Sequence, residues 1–204
     1  MHPYEGYIKF NCFLEKSSFE FADDQFESIN KWRQKLYNLG LIGTYPDGIG
    51  FGNISIRTRN DNFIITGSAT GGKPVLTKND YVLVTFFDLS KNEVRCTGSI
   101  NASSESMTHA ALYHKDMRIG AVIHVHNLEM WEKLKKKLPV TSGDVPYGTP
   151  EMAFEVSGLF DRTSVTETKI FVMGGHKEGI VSFGKDLDEA GNILLDWYSG
   201  LNDS

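Results

Sequence analysis

Apolar residues recur every three to four positions over 24–39, where Phe26, Ile29, Trp32, Leu36 and Leu39 fall on one face. That period predicts a helix, with Asp23 or Asp24 as its N-cap and Gly40 as its stop. Polarity alternates roughly over 7–14, which predicts a strand at a sheet edge. The glycine-rich stretch 43–52, with Pro46, reads as a loop. Short strands are expected near 53–57 and 62–66, joined by the polar turn Arg59–Asn60–Asp61. A Gly/Thr-rich loop over 67–79 then leads into YVLVTFFD, a buried strand.

Ser103 or Ser104 can cap a helix running to about Tyr113, followed by the strand AVIHVH. A helix is expected over 128–137, and another from Thr149–Pro150 to about Phe160, with a hydroxyl N-cap and proline at the first helical position. KIFVMGGH reads as a strand ending in a glycine pair, and EGIVSFG as a further strand. Asp186 caps a last helix that places Leu187, Ala190, Leu194 and Trp197 on one face. Strands cluster centrally with helices between them in mixed order. This predicts an α/β fold, a three-layer α/β/α sandwich around a mostly antiparallel sheet, with 1–204 as a single domain. The order of strands within the sheet does not follow from the pattern.

The 204 residues are 40% hydrophobic and 23% charged, ordinary globular values. A formal charge of −5 provides no basic field for nucleic acid. The lysines of 133–137 lie beside Trp131, Leu134 and Leu138 and read as the solvated face of a helix. Cys12 and Cys96 are too few and too scattered for a disulfide framework, so reduced thiols are expected. The N-terminal stretch shows no signal-peptide pattern, and no apolar run approaches the ~20 residues of a membrane helix. The expectation is a cytoplasmic protein without a nucleic-acid or membrane partner.

Side chains alternate along a strand, so His124 and His126 project from the same face with Cα atoms about 6.5–7 Å apart. Two imidazoles can then meet one ion at about 2.0–2.1 Å. The pair alone is equally well read as one core histidine and one surface histidine. His176 follows IFVM and Gly174–Gly175, where a strand end exposes a side chain and glycines permit sharp backbone geometry. By itself it reads as a loop histidine. Together the three favour a metal, and three histidines with an open position form the pattern of catalytic rather than structural zinc. His2 and His114 are peripheral to this set.

Within SSESMTH, Glu105 falls in the first turn of the predicted helix. The plainer reading is a carboxylate that complements the helix dipole. The functional reading is a carboxylate aimed at the metal, able to carry a proton where burial raises its pKa. His109, one turn on, is placed to orient it. The small-residue loops at 52–55 and 66–72, with Ser103 and Ser104, offer backbone amides and hydroxyls to an anion, although each alone reads as a turn. Neither loop matches a nucleotide-binding fingerprint.

Read in order, GNIS, ITGSATGG, the SSE at 103–105, HVH and GGHKEG resemble the class II aldolase/adducin family, over about residues 25 to 198. The resemblance implies a homotetramer with active sites near subunit interfaces. It implies one divalent metal, Zn2+, held by His124, His126 and His176, with Glu105 as catalytic acid/base. It also implies that Gly52, Asn53, Ser103 and Ser104 hold a substrate phosphate. Thr70 and Gly71 join them on one alignment of ITGSATGG, and Ser68–Ala69 on the other. The chemistry implied is that of a lyase acting on a small keto-sugar or hydroxy-keto acid through a metal-stabilised enediolate.

The chain also departs from that pattern. Sugar-phosphate aldolases of the family carry a tyrosine proton donor after the HxH helix, in a segment shortened here to LPVTSGDVPYGTPE. Tyr147 does not align with that donor and is expected to pack beside the Thr149 cap. Related epimerases carry aspartate at the position of Glu105. A ketose-phosphate dehydratase and a non-catalytic, adducin-like binding module are the competing readings.

Overall fold

The computed structural model describes residues 7–201. His2 lies outside the described residues. The edge strand β1 (Asn11–Glu15) begins later than the alternation predicts. Helix α1 (Asp23–Asn38) buries Ile29, Trp32 and Leu36, as the period requires. Its N-cap is Ala22, while Asp23 and Asp24 occupy the first turn, where carboxylates complement the dipole. The stretch read as a loop contains a small hairpin, β2 (Gly43–Thr44) and β3 (Gly50–Phe51), whose strands are too short to show a period. β4 (Asn53–Arg57), β5 (Phe63–Thr66) and β6 (Tyr81–Asp88) follow as expected.

β7 (Glu93–Gly98) is an addition to the predicted elements; it alternates exposed Arg95 with buried Val94 and Cys96, a pattern too short to stand out. Helix α2 (Ser106–Lys115) corrects an expectation, because its N-cap is Glu105 and neither Ser103 nor Ser104. Ser103 Oγ, two positions before the N-cap, instead accepts from the amide of Glu105 itself at 3.3 Å. β8 (Ala121–His126) leads to α3 (Leu128–Leu134), capped by Asn127 and shorter than predicted. Next come α4 (Pro150–Arg162), α5 (Val165–Thr168), β9 (Ile170–Val172), β10 (Gly179–Gly184) and α6 (Leu187–Ser199). Thr149 and Asp186 cap α4 and α6 as expected, each accepting from a backbone N–H three residues on.

Eight strands form one sheet in the order β1-β7-β6-β5-β4-β8-β10-β9, antiparallel throughout except for the β1–β7 pair. One face packs on α2, α4 and α5, and the other on α1, α3 and α6. The predicted three-layer sandwich is therefore observed. Covering both faces makes β8 apolar on both: Val122 joins the α2/α4 core, while Ile123 and Val125 join the α1/α6 core. The two-residue period then puts His124 and His126 on the α2/α4 side.

Cys12 and Cys96, on the adjacent strands β1 and β7, bring their sulfurs to 3.8 Å as free thiols. Lys135–Lys137 are exposed, and Lys133 pairs with Glu129 at 2.9 Å, consistent with a solvated face. Among the described residues no helix is long and apolar enough to cross a membrane.

Candidate metal centre

Antiparallel pairing sets the floor of the site. β8 lies between β4 and β10, with Asn53 opposite His124 on one side and Gly179 opposite His126 on the other. The chain leaves β9 at Val172 and turns through Met173–His176, the His176 amide donating to the Met173 carbonyl. That turn delivers His176 beside the β8 pair. One ring nitrogen from each of His124, His126 and His176 lies within 4.8 Å of the others. The three side chains are buried, at 1%, 3% and 3% exposure.

The glycine pair before His176 serves close approach rather than unusual dihedrals, since neither residue has a positive φ. A Cβ on Gly174 would stand 2.2 Å from the Thr141 carbonyl oxygen, and one on Gly175 would stand 1.9 Å from that of Val145. Only glycine lets the 141–147 segment lie against this turn. Gly179 plays a related part inside the cluster. Its added Cβ would come within 3.2 Å of both His124 Nε2 and His176 Cγ, so a larger residue would enter the space the histidines enclose.

These residues fit a metal ion. His124 Nε2 is buried and has no hydrogen-bond partner among the described residues, a costly state for an imidazole nitrogen unless a ligand engages it. Burial, reinforced by the neighbouring His126, His176 and His109, pushes the His124 pKa well below its ordinary value, so the ring is neutral and able to ligate. His124 Nδ1 lies 3.3 Å from the Asn53 amide, and His126 Nδ1 lies 2.7 Å from the Tyr45 hydroxyl. Both contacts leave the Nε2 atoms of the pair turned toward the cluster.

Glu105 reaches the same place from the start of α2. Its Oε1 lies 3.7 Å from His176 Nδ1, and its Oε2 accepts from the Thr108 hydroxyl at 2.7 Å. The residue is only 1% exposed. Thr108, rather than His109, therefore orients this carboxylate. His109 is turned away, its Nδ1 held 2.7 Å from Ser55 Oγ, which also meets the Tyr113 hydroxyl at 2.7 Å. Burial drops the His109 pKa to about 3 and raises that of Tyr113. Tyr147 is not confined to the Thr149 cap, because its ring stacks on His176.

The six residues read as anion ligands come together. Gly52, Asn53, Thr70, Gly71, Ser103 and Ser104 line one small cavity with Ser68, Ala69 and Glu105. Within it Thr70 is structurally engaged: its hydroxyl donates to the Gly67 carbonyl at 2.8 Å. The Thr70 and Gly71 carbonyls are gripped by Arg33 Nη2 at 3.0 and 2.9 Å. Arg33 does not figure among the residues the sequence singles out, yet it leaves a signal there, a cation within the buried stripe of α1. Ser68 and Ala69, the latter at φ +60°, occupy the turn of the loop. A surface groove of about 830 Å³ lies elsewhere, between Phe86, Met117 and Phe154, and includes none of these residues.

Solved structures similar to this chain share its fold. An L-fuculose 1-phosphate aldolase is 21% identical with a TM-score of 0.66, matching 91% of this chain and 86% of that one. The L-fuculose-1-phosphate aldolase from Thermus thermophilus is also 21% identical, with a TM-score of 0.62 over 87% and 90% of the two chains. A sugar-phosphate aldolase from Thermotoga maritima has a TM-score of 0.60 at 16% identity, over 85% and 90%. The profile of the Class II Aldolase and Adducin N-terminal domain matches residues 47–195, a span from the loop before β3 into α6 that includes all three histidines and Glu105. This chain belongs to the class II aldolase and adducin N-terminal domain family.

Proposed function

We propose that this chain is a zinc-dependent lyase of the aldolase type, acting on a small keto-sugar or hydroxy-keto acid, with or without a phosphate. The observation that carries this reading is the buried Glu105 carboxylate 3.7 Å from His176, within a cluster of three histidines. An adducin-like binding module would have no use for a buried carboxylate at a metal-competent cluster. Three imidazoles suit zinc among the divalent ions and leave it an open position. His124, His126 and His176 would hold the ion, which would supply Lewis acidity toward a ketone oxygen and its neighbouring hydroxyl.

The protein's own groups do the rest. Glu105 carries the proton between substrate carbon or hydroxyl and bulk, its geometry set by the Thr108 hydroxyl on Oε2. Ser103, Ser104 and the 67–71 loop orient the far end of the substrate through hydroxyl and amide donors, with Asn53 between that pocket and His124. Arg33 holds the loop in shape from behind. Assembly as a homotetramer with sites near subunit interfaces, and a cytoplasmic location, belong to this same reading.

The test is metal content followed by product analysis. Protein purified without chelator or metal-affinity resin should carry about one zinc per chain. It should convert keto-sugar phosphates or hydroxy-keto acids into two carbon fragments. A single dehydrated product would make it a dehydratase instead. Failure to hold any divalent ion would leave a binding module.

A further inference from the structure

The Tyr45 hydroxyl makes two short contacts, 2.7 Å to His126 Nδ1 and 2.8 Å to Glu178 Oε2. From this geometry we infer that Tyr45 and Glu178 form a proton-fixing pair that holds His126 in one tautomer and presents Nε2 to the metal. The inference rests on the metal reading above and assigns two positioning residues to it.

A phenol carries one proton, and an ionised carboxylate can only accept. The hydroxyl proton therefore goes to Glu178, so toward His126 the same oxygen can only accept. His126 Nδ1 must supply the hydrogen for that contact, which leaves Nε2 with its lone pair. Metal-bound imidazoles characteristically donate their other N–H to a carboxylate or carbonyl, which fixes the ring and raises its basicity. Here a tyrosine oxygen stands between imidazole and carboxylate.

The surroundings hold this chain of contacts in place. Tyr45 sits in the β2–β3 hairpin, where its amide donates to the Ile49 carbonyl at 2.8 Å. Phe51 from the same hairpin packs on Tyr45 at 4.6 Å and stacks on His126 at 5.4 Å and 21°. Glu178 has φ +73°, a left-handed conformation that costs a residue with a Cβ. Its carbonyl accepts from the Asn127 amide at 3.0 Å, which ties the turn after His176 to the end of β8. Glycine would meet that backbone at lower cost, so a carboxylate kept there points to a use for the side chain.

The experiment compares wild type with Y45F and E178Q by zinc competition against a chromogenic chelator. Nitrogen-detected NMR of the histidine rings in metal-free protein accompanies it. Each variant should bind zinc about 10- to 100-fold more weakly, with thermal unfolding of the metal-free form close to wild type. E178G should also weaken zinc binding without lowering the unfolding temperature, since it relieves the backbone. His126 should show its proton on Nδ1 in metal-free wild type. Zinc affinities within twofold of wild type in both Y45F and E178Q, or a proton on Nε2, would overturn the inference. A wild type that binds no zinc yet shows Nδ1–H at His126 would sink the metal reading while supporting the tautomer assignment.

Discussion

Tyr147 lies flat against His176, with ring centroids 4.3 Å apart and 22° between the planes. Lys9 Nζ sits 3.7 Å over the Tyr147 ring and donates to the Tyr147 carbonyl at 3.0 Å. The stack confines the one histidine of the cluster that comes from a turn rather than a strand. Aromatic stacking contributes about 0.5–1.5 kcal/mol beyond burial. Tyr147→Leu should therefore weaken zinc binding about 2- to 10-fold, while Tyr147→Phe keeps the stack and stays near wild type. Chelator competition on both variants checks this. Equal losses in the two would instead assign the effect to the hydroxyl.

Removing one of the proposed ligands is a larger change. His124→Ala and His176→Ala should each abolish stoichiometric zinc, read by elemental analysis of protein that has never met a chelator. A variant that still carries one ion per chain would show that the ion sits elsewhere.

Glu105→Gln keeps the shape of the side chain and its contact with Thr108 but cannot take up a proton. Turnover should fall about 10²- to 10⁴-fold with zinc content unchanged. Comparable turnover at full zinc occupancy would remove Glu105 from proton transfer.

Two glycines near the cluster separate fold from site. Gly175→Ala pushes a methyl into the Val145 carbonyl and should destabilise the fold by about 1–3 kcal/mol in denaturant unfolding. Gly179→Ala places its methyl within 3.2 Å of His124 Nε2 and should cut zinc affinity with less effect on stability. If Gly179→Ala bound zinc as wild type does, the histidines would hold the ion on their other side.

Acid should weaken the metal-free protein through His109. Its pKa in the fold is about 3 against an ordinary 6.5, so protons bind the unfolded chain preferentially between those values. Stability is then complete above pH 6.5 and falls as pH drops toward 3, by at most about 1.4 kcal/mol per pH unit for one site. His109→Asn, with no group to titrate there, should have a shallower pH dependence of unfolding than wild type over that range. Matching slopes would place the titrating group elsewhere.

The HxH spacing in a strand, the third histidine after a glycine pair and the apolar periods of α1 and α6 are legible in the sequence because they follow from local rules. Side chains alternate along a strand and recur every 3.6 residues along a helix, whatever the rest of the chain does. β7 is not legible, because it spans only Glu93–Gly98 and its alternation is confined to Val94, Arg95 and Cys96 before Thr97 and Gly98 are buried in succession. Gly174 and Gly175 read locally as turn geometry, yet their reason is a carbonyl oxygen about thirty residues upstream.

By itself, then, the sequence determined which residues are the candidates for metal and proton chemistry, and that helices would cover a mostly antiparallel sheet. Only the tertiary structure decided their partners. Thr108 rather than His109 holds Glu105, Arg33 braces the 70–71 loop, Tyr147 covers His176, and Tyr45 links His126 to Glu178. Each of these contacts joins elements by the packing of layers or by how a loop folds back. Hydrogen-bond geometry at such distances has no period along the chain from which it could be read.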